Sequence, residues 1–177
     1  MQIQDLTFSR LSNRKETKAF DCGDQDLNDF IRNQAWNFQK ELLAVTYIFE
    51  NNHGEIVAFF SLSNDSLSNQ NYERWNNLSR KVSNPKRRKD YPAIKIGRLG
   101  VSNIHHGNQL GSQVLTFIKS WFKVDNKSGC RFLLVDSYNK PKVIDFYRKY
   151  DFGFLTDKDE SSKTRLMYFD LIKMIPM

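Results

Sequence analysis

An α/β domain with a mixed central sheet, flanked by helices on both faces, is the fold that the sequence predicts. Short apolar runs of strand length alternate with segments of helical periodicity from Ala44 to the last apolar run, Arg165–Ile172. A strand, a polar loop with two glycines and an amphipathic helix follow one another between Ala93 and Phe122. A chain of 177 residues, 40% of them hydrophobic, is long enough for one domain, residues 1–177, with a proper core.

The first third of the chain predicts a strand, a helix and a hairpin. Ile3–Leu11 alternates weakly and predicts an edge strand. Asp24 is the predicted N-cap of an amphipathic helix over Gln25–Glu41, because apolar residues recur behind it at helical spacing. Ala44–Glu50 and Ile56–Leu62 predict two strands joined by a tight loop. The predicted buried stripe of the helix is Leu27, Phe30, Ile31, Ala35, Phe38 and Leu42.

Residues 64–92 predict a variable, irregular and basic insert, in which Tyr72–Val82 has the pattern of a helix. Seven lysines or arginines and one acid lie between Arg80 and Lys95, so most of the net charge of +7 is concentrated there. Such a cluster attracts the phosphates of a cofactor or a nucleic acid, and a solvated basic loop is the other interpretation. The candidate nucleic-acid contacts are Arg80, Lys81, Lys86, Arg87, Arg88 and Lys89.

The glycine loop is the first candidate functional site. The strand Ala93–Val101 leads into it, and an apolar helical pattern follows from Leu110 to Phe122. The first amide groups of a helix have no intrahelical partner and point toward an anion, so a strand, loop and helix in this order can hold a phosphate. Pro141 marks the start of another helix. Further strands are predicted at Arg131–Asp136, Asp151–Leu155 and Arg165–Ile172.

Composition predicts a cytoplasmic protein without a membrane partner. Cys22 and Cys130 fit a reducing compartment, the first residues lack the pattern of a secretory signal, and no apolar run reaches the length of a bilayer span. No metal site is predicted. His105 and His106 are adjacent and point apart on an extended chain, and no further Cys or His stands at ligand spacing.

Two blocks of sequence resemble the GNAT N-acetyltransferase superfamily, and the order of elements agrees with it over nearly the whole chain. The first block is residues 106–111, HGNQLG, where the superfamily has Gln/Arg-x-x-Gly-x-Gly/Ala. His106 replaces Gln/Arg, and Gln109 replaces the middle glycine. The second block runs from Asn139 to Phe152 and resembles the pattern N…FYxxxGF, with Asp151 where glycine is usual.

The resemblance implies acetyl-CoA as the cosubstrate and a primary amine as the acyl acceptor. The amide groups of residues 107–112 would hold the pyrophosphate, and those of Leu99 and Val101 would face the pantetheine arm in a gap between splayed strands, Gly97–Val101 and Arg131–Val135. Asn139 would bond to the same arm, with a helix N-cap as its alternative role. The implied cofactor contacts are Leu99, Val101, His106, Gly107, Asn108, Gln109, Leu110, Gly111, Ser112 and Asn139.

Tyr147 stands at the superfamily's tyrosine position, which implies that it is the general acid for the departing thiolate. A phenol of pKa about 10 is protonated at neutral pH and can donate, whereas a packed core tyrosine is the alternative. The strand at residues 94–101 carries no acid that could serve as a strong base. A lysine amine, with a pKa of about 10.4, needs such a base, but an α-amine, with a pKa of about 7.7–8.0, is already partly unprotonated at neutral pH. The sequence therefore favours an α-amine acceptor.

Two shorter strings, FDCG…LNDF near the start and RLGV at residues 98–101, resemble a bacterial subgroup of the superfamily. That subgroup includes toxin-type enzymes that modify the α-amine of aminoacyl-tRNA, which implies charged tRNA as acceptor and a small antitoxin as partner. The superfamily also implies a homodimer, because its sheet edges often pair. Two other functions stay open: acetylation of a protein or small-molecule amine, and a catalytically weak domain that binds nucleic acid or a partner through residues 80–95.

Overall fold

A mixed seven-stranded sheet is the centre of the computed structural model, which describes residues 1–12, 15, 17–68, 90–124, 126 and 129–174. Its hydrogen-bonded strand order is β1-β2-β3-β4-β5-β7-β6, and the α/β class that the sequence predicts is confirmed. The strands are β1 (Thr7–Arg10), β2 (Val45–Glu50), β3 (Ile56–Ser68), β4 (Asp90–Val101), β5 (Phe132–Tyr138), β6 (Gly153–Phe154) and β7 (Thr164–Asp170).

The helices of the described residues are α1 (Gln25–Asp29), α2 (Ala35–Lys40), α3 (Leu110–Val124) and α4 (Pro141–Lys149). Across the described ranges, no helix combines the length and the apolar character that a membrane span requires. The predicted helix Tyr72–Val82 lies outside the described residues, and so do all six candidate nucleic-acid contacts between Arg80 and Lys89.

One of two compact units comprises Met1–Ser63 and Ile96–Ile118. In it β1, β2 and β3 form an antiparallel meander, with Phe8 opposite Phe49 and Ile48 opposite Phe59. The ring of Phe8 also meets Phe117 of α3 edge-on, at 4.7 Å between centroids. The buried core of this unit includes Leu11, Phe20, Cys22, Phe30, Ile31, Ala35, Ile48, Ile56 and Phe59.

The other unit comprises Asn64–Lys95 and Lys119–Met177. Here β7 pairs antiparallel with both β5 and β6, so that Tyr168 faces Leu134 on one side and Gly153 on the other. Arg131 and Asp170 form an ion pair of two hydrogen bonds at 2.9 and 3.1 Å beside this pairing. The core of the unit includes Leu67, Tyr91, Ala93, Phe132, Leu134 and Leu155.

The predicted helix over Gln25–Glu41 forms, but it is interrupted by a π-helical turn at Phe30–Gln34. The turn adds one residue to the helical period, which moves the buried stripe by one position beyond it. Gln39 is therefore buried at 6% exposure, and its amide donates to the Leu11 carbonyl. Phe38, at 39% exposure, and Leu42, at 88%, were expected in the core and lie on the surface.

Two predicted strands are longer than expected, and the basic insert is correspondingly shorter. Residues 63–68 continue β3 and residues 90–92 begin β4, although Ser, Asn, Asp and Pro dominate both stretches. Sheet pairing overrides weak local β-propensity in such segments. Pro92 is exposed and contributes its carbonyl to the Arg131 amide, which needs no amide hydrogen from the proline.

The remaining differences are at strand ends. The predicted edge strand Ile3–Leu11 begins with a 3₁₀ turn at Ile3–Asp5, and only Thr7–Arg10 pairs with β2. The last strand ends at Asp170, where its carboxylate caps a 3₁₀ turn over Leu171–Lys173 instead of continuing to Ile172.

Candidate active site

The glycine loop is fastened to the end of β4 in the first unit. The Ser102 amide donates to the Val57 carbonyl at 2.8 Å, and a 3₁₀ turn at Asn103–His105 follows. The exposed imidazole of His106 returns to the strand, with Nε2 at 3.0 Å from the Val101 carbonyl oxygen. His106, which replaces the Gln/Arg of the superfamily signature, thus closes the loop on itself.

Gln109 holds the conformation for which the superfamily uses glycine. Its φ is +56°, in the left-handed region that costs a residue with a Cβ about 1–2 kcal/mol. Gly107 also has positive φ, +87°. The Gln109 carbonyl accepts from the amides of Ser112 and Gln113, both at 3.1 Å, so the residue starts α3 in spite of its strained backbone.

Four amide groups of the loop are free to bind an anion. The amides of Gly107, Gln109, Leu110 and Gly111 donate to no acceptor in the described part of the chain. The Ser112 amide, by contrast, is used within the turn. A helix start with free donors carries positive partial charge, so the arrangement suits a pyrophosphate. The residues present therefore fit the phosphate part of CoA.

A second turn, at Asp21–Asp24, supports this loop from the side. The Asn103 amide donates to the Asp21 carbonyl at 2.8 Å, and the Asp21 carboxylate accepts from Gly23 N and Asn28 Nδ2. These hydrogen bonds lower the pKa of Asp21, and the bond from the Gly23 amide has the largest effect. The predicted N-cap is confirmed, because Asp24 accepts from the Leu27 amide at 3.1 Å.

The two strings of the bacterial subgroup contact each other in this unit. The guanidinium of Arg98, from RLGV, lies 5.3 Å from the ring centroid of Phe30, from LNDF, and 3.4 Å from Asp26. Gly100 backs onto Phe59 so closely that a Cβ would lie 2.7 Å from the ring. The two strings therefore occur together in the sequence because their residues pack against each other.

Leu99 and Val101 are half-buried at the end of β4, and the orientation of their amides toward a cofactor stays a prediction.

Tyr147 lies on α4 in the second unit and is buried at 8% exposure. Its ring contacts Phe146 and Phe152, with centroids 5.2 and 5.5 Å away. Burial raises the pKa of Tyr147 to about 12. The phenol therefore keeps its proton throughout the physiological range, so it can donate a hydrogen bond there but is not available as a phenolate base. Its role as general acid stays a prediction.

The end of α4 has the hydrogen bonds of a Schellman cap. Asp151 takes φ +61°, its amide donates to the Arg148 carbonyl at 3.0 Å, and the Phe152 amide donates to the Tyr147 carbonyl at 3.1 Å. This is the position at which the superfamily has glycine, and aspartate is one of the residues that tolerate it. The cap fixes the backbone of Tyr147 itself.

Asn139 is engaged with the loop before β7. Its Nδ2 donates to the carbonyls of Glu160 and Ser162 at 2.8 and 2.9 Å, and its amide donates to Lys163. The alternative of a helix N-cap is wrong, since Lys140 occupies that position. Contact with the pantetheine arm stays a prediction and would have to use the remaining side-chain oxygen.

Lys95 belongs by sequence to the basic cluster at residues 80–95, but its charge is paired with two carboxylates. Its ammonium lies 2.5 Å from Asp136 and 3.7 Å from Asp65. Burial lowers the pKa of Lys95, but the bond and charge of Asp136, with the charge of Asp65, outweigh burial and raise it. The excess charge of the segment thus belongs to residues 80–89, outside the described residues.

Sequence reasoning missed Lys119, which lies on the buried side of α3 at 6% exposure. It falls among apolar positions of the helix that are themselves buried, Leu115, Ile118 and Phe122. A lysine at a buried helical position could have indicated a specific partner in the fold, because lysine is rarely buried without one.

Comparison with solved structures gives the class of fold. The toxin AtaT complexed with acetyl-methionyl-tRNAfMet is 19% identical, with TM-score 0.77, and the match covers 94% of this chain and 95% of that one. A tyrosine-to-phenylalanine mutant of KacT is 16% identical, with TM-score 0.78 and 96% of each chain covered. A third structure is a tyrosine-to-phenylalanine mutant of AtaT, bound to the C-terminus of the antitoxin AtaR and to acetyl-CoA. It is 18% identical, with TM-score 0.72, and the match covers 95% of this chain and 94% of that one.

No family model matches the sequence. The structural likeness, at nearly full coverage of both chains, shows that this chain has the GNAT fold, which confirms the fold that the resemblance implies.

Proposed function

We propose that the protein is an acetyl-CoA-dependent N-acetyltransferase that transfers acetyl to a primary amine. The observation that carries this proposal is the set of four amides, in the loop and the first turn of α3, that donate to no acceptor among the described residues, next to the positive-φ backbone of Gln109. Within the GNAT fold, that loop has the donors that a CoA pyrophosphate requires. The neighbour AtaT, with the same fold, has been solved with acetyl-CoA bound.

Tyr147 is the residue of this chain that we assign to the departing sulfur. Bound acetyl-CoA would supply the acetyl group as a thioester. A thiol has a pKa of about 8.5, well below the pKa of about 12 to which burial raises Tyr147. The hydroxyl would therefore stabilise the developing thiolate by donating a hydrogen bond, and the phenol would remain protonated between turnovers.

The acceptor we propose is the α-amine of an aminoacyl-tRNA. The strand at residues 94–101 offers no carboxylate to take a proton from a lysine, whereas an α-amine needs little help. AtaT in complex with acetyl-methionyl-tRNAfMet supports this class of acceptor, and its complex with AtaR supports an antitoxin partner. We place the activity in the cytoplasm, in one domain that forms a homodimer.

The test is to incubate the protein with labelled acetyl-CoA and, separately, charged tRNA, free amino acids, small amines and a protein mixture. We expect label on charged tRNA, in the fraction released as N-acetyl amino acid. Label only on another acceptor would overturn the tRNA assignment but keep the acetyltransferase. No saturable binding of acetyl-CoA by calorimetry would overturn both and favour a binding domain.

Tyr147→Phe tests the sulfur assignment. We expect kcat to fall about a hundredfold with the KM for acetyl-CoA nearly unchanged, because the lost hydroxyl acts in the transition state. Tyr47→Phe is the control, since it removes a partly buried tyrosine hydroxyl from β2 and should leave kcat unchanged. Full turnover of Tyr147→Phe would show that Tyr147 is a packing residue.

A further inference from the structure

The ammonium of Lys119 binds a carbonyl at the carboxyl end of α4 that the hydrogen bonds of the Schellman cap do not use. Lys119 is buried at 6% exposure, and its Nζ donates to the carbonyl of Tyr150, the C-cap residue of α4. The cap itself uses the carbonyls of Tyr147 and Arg148. A cation at the carboxyl end of a helix also meets the negative end of the helix dipole. Lys119 thus adds a side-chain hydrogen bond to the termination of the helix that carries Tyr147.

Two aromatic rings enclose the same ammonium. Nζ lies 3.7 Å from the ring centroid of Phe169 on β7 and 5.2 Å from that of Phe152. Both distances are within the range of a cation–π interaction. Phe152 in turn packs against Tyr147, with their centroids 5.5 Å apart. One side chain of α3 therefore contacts both the backbone end of α4 and the ring beside the tyrosine.

The charge state of Lys119 agrees with this geometry. Burial lowers its pKa to about 8, opposed by the negative charge of Asp151. In most molecules, Lys119 is therefore protonated at neutral pH. Removing a buried, hydrogen-bonded cation would leave the Tyr150 carbonyl without its donor and a gap between Phe152 and Phe169.

We propose that Lys119 is a positioning residue for Tyr147, holding α4 and Phe152 so that the phenol hydroxyl stays aimed at the reacting thioester sulfur. This inference rests on the proposed function for what the hydroxyl does. The hydrogen bond to Tyr150 lies one residue beyond the end of α4, and Tyr147 is three residues before it, so a shift of the helix end moves the tyrosine directly.

The experiment uses the full chain with Lys119→Met and Lys119→Gln. Methionine matches the length of the lysine stem without charge or donor, whereas glutamine keeps a donor without charge. Lys123→Met on the same helix is the matched control. We expect Lys119→Met to lower kcat about tenfold to hundredfold, with the KM for acetyl-CoA within about twofold of wild type. Lys119→Gln should recover part of kcat.

A second readout does not depend on turnover. Tyrosine labelled with carbon-13 at Cζ, assigned by loss of the signal in Tyr147→Phe, reports the surroundings of the hydroxyl by NMR. We expect the Tyr147 signal to shift or split in Lys119→Met, to lie nearer wild type in Lys119→Gln, and to stay unchanged in Lys123→Met.

The two readouts separate this inference from the proposed function. An unchanged Tyr147 signal in the variants that fold would overturn the positioning role, whatever the enzyme acetylates. The same holds if kcat and the acetyl-CoA KM change equally in Lys119→Met and Lys123→Met. A shifted signal in a protein that acetylates no acceptor would instead contradict the proposed function and support the role of Lys119 in holding Tyr147.

Discussion

The two blocks of sequence that resemble the GNAT signature share one backbone feature and differ in how they obtain it. Each has a residue with a side chain where the superfamily has glycine, and each keeps that residue at positive φ: Gln109 at +56° and Asp151 at +61°. The first residue starts a helix that offers free amides, and the second ends the helix that carries Tyr147. The backbone shape is retained at both places although the signature residue is not.

Asp151 reaches this conformation with less strain than Gln109. Aspartate is one of the residues that tolerate the left-handed region, and the Schellman hydrogen bonds define its position. Gln109 has no such tolerance and is held by its neighbours, through the amides of Ser112 and Gln113 and the loop closed by His106. A signature compared letter by letter is therefore a weaker guide in the first block than the geometry that it encodes.

Proline at position 109 would break the first block. The φ of proline is fixed at about −65°, opposite in sign to the +56° of Gln109, and proline removes an amide that we assign to the pyrophosphate. We expect Gln109→Pro to lower the free energy of unfolding in urea by about 2–3 kcal/mol and to weaken acetyl-CoA binding at least about tenfold. An unchanged unfolding midpoint and Kd would show that the positive φ is dispensable.

The second block should show a dependence of stability on pH that comes from its buried groups. Between pH 8 and about 10.4 the unfolded chain binds more protons at Lys119 than the folded chain, so this residue makes stability rise with pH, by at most about 1.4 kcal/mol per unit. Burial raises the pKa of Tyr147, so the stability that its protonated hydroxyl contributes is fully present below pH about 10. That contribution is lost as the pH rises through about 12.

The measurement is urea unfolding of wild type and Lys119→Met across this range. We expect the free energy of unfolding of wild type to rise relative to that of Lys119→Met as the pH increases from 8 to 10. Lys123→Met is again the control. Parallel curves for wild type and Lys119→Met would mean that Lys119 titrates like a solvated lysine.

Asn139, at the start of the second block, has two candidate roles that one substitution separates. Asn139→Ala removes the hydrogen bonds to Glu160 and Ser162, so we expect a loss of about 1 kcal/mol of stability and faster amide exchange at residues 160–163. The Kd for acetyl-CoA should change less than about threefold. A tenfold weaker Kd without loss of stability would support the pantetheine contact that the resemblance implies.

Glycine substitutions give the smallest and most direct comparison of the two blocks. Gln109→Gly relieves a strained backbone, so we expect a gain of about 0.5–1 kcal/mol. Asp151→Gly relieves less strain and also removes the negative charge that opposes the lowering of the Lys119 pKa, so we expect it to gain less than about 0.5 kcal/mol or to lose stability. Both values come from urea midpoints at pH 7. A larger gain at Asp151 would reverse the order of strain that the two caps indicate.

The order of strands and helices was predictable because each depends on local periodicity. The strand at Ala93–Val101, the start of α3 at Leu110 and the Asp24 cap all follow from the spacing of apolar residues and from capping chemistry. The position of the loop was predictable for a different reason, since a glycine such as Gly107 supplies the positive φ that a strand-to-helix turn requires. That the loop residues bind a cofactor stays a prediction.

The parts that could not be predicted depend on contacts between distant residues. The π turn at Phe30–Gln34 leaves no mark in the apolar spacing, yet it decides that Gln39 is buried and Phe38 is not. Residues 63–68 become strand through pairing rather than propensity. Lys119 finds its partner at Tyr150, thirty-one residues away, so only the folded chain reveals what a charge on that stripe is for.

The hydrogen bond between Asn103 and Asp21 has a consequence for anyone who would engineer this chain. The loop at residues 102–112 depends on a turn some eighty residues earlier, and Gly23, at φ +79°, lies where a Cβ would be 2.9 Å from Asn103 Oδ1. A graft of the loop into another scaffold of this fold would have to carry residues 21–24 with it. The unit that can be transferred is thus a discontinuous pair of segments, and a shortened chain that starts after Asp24 would leave the Asn103 amide without the Asp21 carbonyl to which it donates.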